Sequence, residues 1–363
     1  MRKIDIVIPA YEPDNRLLKL LEDLNSQNIG PVIIVDDGSG EEYEEIFSKA
    51  SLLVTEMGGG ILRHNINRGK GRALKTAFQY VLDNDKGAEA VITVDSDGQH
   101  TVECIKKIIS RIKEETFPSL ILGVRKFDLE GIPWKSRFGN ILTEKVFAYI
   151  SGVHISDTQT GLRGIPIRYV EKLIYLEGER FEFEMRMLID AADRYQIVEI
   201  PIETIYDSES NHQTHFNPLV DSFKIYRILG DKFIKYILSS CSSSIIDLSI
   251  FGVICLVLEK RYPVIHVTIA TIVARIISAT YNYFINYKIV FRSKAGIKLS
   301  AFKYLTLALV QMGGSAGLIT IFVKMFPTFP ELLFKIVIDT VLFFISYYVQ
   351  QKIVFKNEKV LRK

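Results

Sequence analysis

Over residues 1–215, short apolar and β-branched runs alternate with longer amphipathic stretches. The runs Asp5–Pro9, Val32–Val35, Ala90–Val94, Leu120–Gly123 and Ile197–Ile200 are largely apolar at successive positions, the pattern of strands buried on both faces of a parallel sheet. Between them, Arg16–Gln27, Gly71–Asp83 and Val102–Glu114 carry apolar residues at helical spacing. This alternation predicts an α/β domain with a largely parallel, helix-covered sheet. From about residue 233 the pattern changes to four long apolar segments: Phe233–Leu258, Val264–Asn286, Ala301–Phe326 and Leu332–Gln351. Each reaches the roughly 20 helical residues needed to cross a hydrocarbon core of about 30 Å, so four spanning helices are expected rather than core helices of a soluble protein. Residues 216–232 mix Leu219, Phe223, Ile225 and Ile228 with Lys224 and Arg227, and read as a helix lying on an anionic lipid surface. The expected domains are therefore 1–215, 216–232 and 233–363.

The loops add an orientation. Lys288, Arg292, Lys294, Lys298 and Lys303 lie between the second and third segments, and Lys352, Lys356, Lys359, Arg362 and Lys363 follow the fourth. The other two connections carry only Lys260 and Arg261, and Lys324. The excess of cations predicts a multi-pass cell-membrane protein with the soluble domain and both termini on the cytoplasmic side. The membrane half also repeats itself. Lys288-Ile289-Val290-Phe291 recurs as Lys352-Ile353-Val354-Phe355, and Lys235-Tyr236 recurs as Lys303-Tyr304, so two helical hairpins of one design are expected. Asp247, Arg275, Asn282, Asn286, Gln311 and Asp339 are costly within a bilayer; a buried Arg–Asp pair and a path for an anionic headgroup both account for the charged ones.

Composition narrows the field. A net charge of +3 over 363 residues gives no reason to invoke nucleic acid. Three separated cysteines, Cys104, Cys241 and Cys255, form no C-x-x-C pair, which argues against a disulfide framework or a zinc site and fits a reducing compartment. Met1-Arg2-Lys3 passes straight into a strand, so no secretory leader is read there.

The chemistry gathers at strand tips. Val91-Ile92-Thr93-Val94 ends in Asp95-Ser96-Asp97-Gly98-Gln99-His100. In open α/β sheets ligands sit at the carboxyl ends of strands, and two carboxylates one residue apart offer hard oxygens to Mg²⁺ or Mn²⁺; an acidic turn is the plainer alternative. The first strand ends in Pro9-Ala10-Tyr11-Glu12 and the second in Asp36-Asp37-Gly38-Ser39. Three acidic tips on one edge repel one another unless a cation stands among them. Asn67-Arg68-Gly69-Lys70-Gly71 opens a helix, where glycines let backbone N–H groups approach a phosphate, or simply form a helix-entry loop.

Taken in order, these motifs resemble those of inverting GT-A glycosyltransferases, most closely the branch of dolichyl-phosphate mannose synthase and bacterial polyprenyl-phosphate glucosyltransferases. Gly123-Val124-Arg125, Lys135-Ser136-Arg137-Phe138-Gly139-Asn140, Asp157-Thr158-Gln159-Thr160-Gly161 and Phe181-Glu182-Phe183-Glu184 extend the resemblance over residues 4–230. The four-helix half resembles GtrA-like membrane modules, thought to handle or flip the lipid-linked sugar. The resemblance implies an α/β, Rossmann-like GT-A domain followed by a four-helix transmembrane domain. It implies a nucleotide-diphosphate sugar donor, a polyprenyl phosphate acceptor and Mg²⁺ or Mn²⁺. Pro9, Tyr11, Glu12, Asp36, Asp37, Lys70, Asp95 and Ser96 would bind the nucleotide, and Asp95, Asp97 and Gln99 the metal. Arg125, Ser136 and Arg137 would hold the acceptor phosphate, and Asp157 would line the sugar–acceptor junction. Surface or structural roles are the plainer reading of the two arginines. His212 and His215 stand where mannose synthases of this type tend to carry Arg or Lys, and would close a loop over the donor or merely be exposed. A UDP-hexose is favoured over GDP-mannose by the family analogy alone. A lipid-sugar flippase with a non-catalytic sugar-binding domain is the alternative of a different class. A processive polysaccharide synthase ranks lower, because its Q-x-x-R-W motif is missing around Trp134. Which sugar, which polyprenol and whether copies of the chain associate are not legible.

Overall fold

The computed structural model describes residues 3–116, 118–125, 134–203 and 220–356, without the side chains of 134–140, 142 and 220–226. It divides into two compact units, residues 1–228 and 229–358.

The first unit is built on a seven-stranded sheet. In chain order the strands are β1 (Lys3–Ala10), β2 (Val32–Asp36), β3 (Gly60–Arg63), β4 (Ala88–Thr93), β5 (Ser119–Arg125), β6 (Arg163–Pro166) and β7 (Gln196–Ile202); in space they run β3-β2-β1-β4-β6-β5-β7. Neighbours pair in parallel except β6, which is antiparallel to both β4 and β5. Between β1 and β7 fall the helices α1 (Asn15–Ser26), α2 (Glu44–Glu56), α3 (Lys70–Asn84), α4 (Val102–Glu114), α5 (Trp134–Ser151), α6 (Ile167–Leu173) and α7 (Glu182–Arg194). Ile4 through Ala10 of β1 are all buried, because helices cover both faces. On α1, Leu17, Leu20, Leu21 and Leu24 form the apolar stripe, and Asp14 caps the helix by accepting from the Arg16 N–H at 2.9 Å. Val102, Ile105, Ile108 and Ile112 do the same for α4, whose Thr101 cap accepts from the Cys104 N–H. That cap matters for what precedes it: it fixes where the Asp95–His100 turn must end.

The expected strands and helices are all present. β3, β6, α2 and the helices after β5 add to them. The parallel expectation needs one amendment, since β6 enters against its neighbours and brings the loop before it to the same edge as the tips of β4 and β5.

The second unit holds most of α8 (Val220–Leu258), with α9 (His266–Ile285), α10 (Ile297–Met325) and α11 (Glu331–Val349). Among the described residues, three stretches are long and apolar enough to cross a membrane: Arg227–Leu258, Ile297–Met325 and Glu331–Val354. α9 has 20 residues, about 30 Å at 1.5 Å per residue, and its lower apolarity comes from Arg275, Asn282 and neighbouring hydroxyls. The two hairpins repeat in detail. Each second helix ends in a π-helical turn, Asn286–Val290 and Gln350–Val354, closed by the Phe291 N–H on Asn286 O and the Phe355 N–H on Gln350 O, both 2.8 Å. Ser243 donates to the Ser278 carbonyl at 2.9 Å, and Gln311, its counterpart, donates to the Leu342 carbonyl at 3.3 Å. Where the repeats meet, Asn286 Nδ2 donates to Gln350 Oε1 at 3.1 Å, and the rings of Phe291 and Phe355 stack with centroids 5.1 Å apart. Asp247 and Arg275 do approach, at 3.6 Å, although Arg275 remains largely exposed.

Candidate active site

The parallel register sets the tips of β1, β2 and β4 on one edge, because Ala10 pairs with Asp36 and Val7 with Thr93. At the first two tips the chain ties itself together. The Glu12 N–H donates to Ser39 Oγ at 2.9 Å, and the Ser39 N–H donates to Asp36 Oδ1 at 2.9 Å. Glu12 takes a left-handed backbone (φ 50°), which turns the chain after Tyr11. A hydrogen bond to Glu12, then burial, raises the Tyr11 phenol above its ordinary value. Pro9 is buried within β1 beside Val35.

Asp37 is buried and its carboxylate is occupied. One oxygen accepts from the Arg68 N–H at 3.0 Å and lies 2.6 Å from His64 Nδ1; the other accepts from the Gly69 N–H at 2.7 Å. It thereby holds the loop that opens α3. That loop is open to two readings in sequence, a phosphate cradle or a helix entry, and its glycines are packed against protein. A Cβ on Gly69 would stand 2.5 Å from Glu179 O and Arg180 Cγ, and one on Gly71 would stand 2.5 Å from Phe183 Cβ. The Arg72 N–H donates to Glu179 O at 2.9 Å. These glycines admit the Glu179–Phe183 turn against the helix start, and the Arg68 and Gly69 N–H groups are directed at Asp37. Arg72 and Lys75 both grip the Glu179 carboxylate.

Lys70 instead sends its side chain to the acids. Its Nζ lies 2.7 Å from Asp95 Oδ1 and 3.0 Å from Glu184 Oε2. Burial would raise the Asp95 carboxyl, but the Lys70 charge and the His100 imidazole overcome it and hold Asp95 well below the usual carboxylate range. Burial and then the Asp95 charge push Asp97 the other way, upward. Asp97 Oδ1 accepts from the Gln99 N–H at 3.0 Å, which shapes the turn. Ser96 and Gln99 are half-buried on it.

The loop Asp157–Gly161, delivered by the antiparallel β6, bridges this acid pair to the arginine of β5. At one end a Cβ on Gly161 would fall 2.1 Å from Asp95 Oδ2, so the Asp95 carboxylate lies directly against the glycine backbone. At the other, Asp157 is fully buried and grips Arg125 in two-pronged fashion, Nε to Oδ2 at 2.7 Å and an Nη to Oδ1 at 3.1 Å. In this arrangement Asp157 is a positioning residue for Arg125. Thr93 Oγ1 on Gly161 O (2.7 Å) and Thr160 Oγ1 on Gly123 O (2.5 Å) pin the loop to β4 and β5. Beneath it lies Arg163, 0% exposed, donating to Thr160 O and Glu184 O at 2.8 Å each. Ser136 and Arg137 fall in the first turn of α5, where side chains lie outside the described residues; His212 and His215 lie outside them altogether.

Among the described residues, no three His, Cys, Asp or Glu groups stand together as a cage for a metal ion. The Asp95–Asp97 pair nonetheless suits Mg²⁺ or Mn²⁺ of the kind held by one or two carboxylates with substrate phosphates and water completing the shell. Asp97 keeps one oxygen that accepts nothing among the described residues. Arg163 and His64 were not singled out by sequence, and Glu184 fell within a motif without a role. Glu184 had a signal, an acid amid the buried Phe183, Met187 and Leu188 of an amphipathic helix; a buried Arg163 in a four-residue strand had none.

Fold and site together define a class: an α/β transferase domain, with acids and an arginine at its sheet edge, on a chain that continues into membrane helices. Residues 5–173 match the model of glycosyl transferase family 2, and residues 235–355 match that of the GtrA/DPMS transmembrane domain. The protein is a membrane glycosyltransferase with a family 2 domain followed by a GtrA/DPMS domain. It is 28% identical over 243 residues to the UDP-N-acetylglucosamine–dolichyl-phosphate N-acetylglucosaminyltransferase of Methanococcus voltae, covering 62% of this chain and 94% of that one. It is 25% identical over 199 residues to a dolichyl-phosphate hexose transferase of Haloferax volcanii, covering 54% and 80%. Among solved structures, a mannosyltransferase of Pyrobaculum calidifontis in complex with GDP-Man and Mn²⁺ overlaps 97% of this chain and 88% of its own at 12% identity, with a TM-score of 0.41.

Proposed function

We propose that the protein transfers one sugar from a nucleotide-diphosphate donor to a polyprenyl phosphate at the cytoplasmic membrane face, with inversion at the anomeric carbon. The observation that carries this reading is the Asp157–Gly161 loop, one end of which packs on Asp95 while the other aims Arg125. A donor diphosphate needs its charge neutralised; an acceptor phosphate needs a cationic fork. One five-residue loop positions a group for each.

A lipid phosphate is already ionised at neutral pH, so its attack on the anomeric carbon requires no strong general base. It requires alignment and charge compensation. Arg125, locked by Asp157, presents a planar guanidinium suited to phosphate oxygens, with Ser136 and Arg137 of α5 as further acceptor groups. Asp95 and Asp97 are the residues that would hold Mg²⁺ or Mn²⁺, which supplies charge neutralisation to the departing diphosphate. Pro9, Tyr11, Glu12 and Asp36, on the tips of β1 and β2, serve the nucleoside. Asp37 and His64 shape the loop that delivers Lys70. His212 and His215 are the groups proposed to close over the donor.

The two named relatives act on dolichyl phosphate, which supports a polyprenyl phosphate acceptor. A UDP-hexose is the favoured donor. The cationic connections after α9 and α11 support a cytoplasmic site with both termini on that side. The test is a panel of UDP- and GDP-sugars offered to detergent-purified protein with Mn²⁺ and undecaprenyl phosphate. Label entering the organic phase from one donor, and lost with EDTA, is expected; no transfer from any donor, with nucleotide still bound, would overturn the reading in favour of a lipid-handling protein.

A further inference from the structure

Lys70 stands between two carboxylates of unlike surroundings. Asp95, at the strand tip, is held against Gly161 and faces His100, whose Nε2 is 3.8 Å from Oδ2. Glu184, on α7, is buried beside Arg163, with 3.9 Å from its Oε1 to the guanidinium. Among the described residues, Glu184 Oε1 makes no hydrogen bond, and neither does the buried His100 Nδ1. A buried carboxylate oxygen without a donor costs free energy, so Glu184 keeps capacity for a closer partner. The only mobile cation in reach of both acids, among the described residues, is the Lys70 ammonium on its flexible stem.

We propose that Lys70 is a resident counter-cation of the acid pair and that Glu184 is its receiver. Without a divalent ion, the ammonium neutralises Asp95. When a divalent ion is taken up by Asp95 and Asp97, the ammonium withdraws to Glu184, where it remains as a cation for the incoming diphosphate. Glu184 thus acts through Lys70, as a positioning residue. The inference rests on the reading of Asp95 and Asp97 as metal ligands.

Its test is Mn²⁺ binding to the full-length protein in detergent, followed by the loss of the free-ion electron paramagnetic resonance signal, with and without UDP. Lys70→Met should bind Mn²⁺ about tenfold more tightly than wild type, the scale of removing one charge a few ångströms away. Lys70→Arg, which keeps the charge, should bind no more tightly than wild type and stands in should the Met variant fail to fold. Glu184→Gln should bind more weakly, because the ammonium has lost its second seat. A simple loss of negative charge would weaken binding too, and the double variant separates the two: in the Lys70→Met background, Glu184→Gln should have no further effect. Unchanged or weaker binding in Lys70→Met, tighter binding in Lys70→Arg, or a Glu184→Gln effect that persists without Lys70, overturns the hand-over. If wild type shows no saturable Mn²⁺ uptake that Asp97→Asn removes, the metal reading itself fails, and the inference with it.

Discussion

A glycine methyl group is the smallest perturbation this site can register. Because a Cβ at Gly161 would stand 2.1 Å from Asp95 Oδ2, Gly161→Ala must displace the carboxylate. Misplacement by about 1 Å costs on the order of 10²-fold in rate, so sugar transfer by Gly161→Ala should fall by about that factor while nucleotide binding, measured by calorimetry, persists. At the opposite end of β1, Asp5 is 1% exposed, and burial, reinforced by Asp85, pushes its carboxyl up to about 6 from 3.8. A raised carboxyl means the folded state binds the proton more tightly than the unfolded chain. Stability from this group is therefore present below about pH 4 and is lost as pH rises toward 6. Asp5→Asn should remove that slope and stabilise the protein above pH 6 by about 3 kcal/mol, read from thermal unfolding across the pH range. Residue by residue, the sequence exposed Asp95, Asp97 and Arg125, which end strands that are apolar enough to recognise. It hid Arg163, whose burial is satisfied by carbonyls of Thr158 and Thr160 in the preceding loop and of Glu184 on α7.

Among elements, the legible ones were those whose burial is one-sided or complete. β1, β4, α1 and α4 carry long apolar patterns, and their bounds came out close. β3 is four partly exposed residues at the sheet edge, and β6 reads Arg-Gly-Ile-Pro; neither offers a strand pattern. Yet β6 is what carries the Asp157–Gly161 loop to the site. The start of α3 teaches a related lesson. Glycines before a helix suggested an anion site or a plain helix entry, and here they make room for the Glu179–Phe183 turn. Gly71→Ala should accordingly destabilise the protein by about 1–3 kcal/mol through overpacking against Phe183, seen as a lowered melting temperature that saturating nucleotide only partly restores. In the membrane half, the recurring Lys-Ile-Val-Phe was a true sign of repetition, since both copies form π-helical turns closed by the same bond. What sequence did not disclose was that the repeats meet through Asn286 and Gln350, buried carboxamides whose partner is the other copy.

On the scale of the whole molecule, a family 2 transferase domain is followed by helices long and apolar enough to cross a membrane. Its topology is testable with single cysteines in a background lacking Cys104, Cys241 and Cys255. A cysteine at Gly296, between α9 and α10, should react with an impermeant maleimide from the cytoplasmic side of sealed vesicles. One at Thr328, between α10 and α11, should react only from the opposite side. The reverse pattern would place the site across the membrane from nucleotide sugars. The central claim is that the acceptor is a lipid phosphate, and the most direct measurement compares undecaprenyl phosphate with undecaprenol under one labelled donor. Label should enter the organic phase with the phosphate alone, and Asp97→Ala should abolish it. Equal transfer to the alcohol, or full product from Asp97→Ala, would contradict the roles given to Arg125 and to the acid pair.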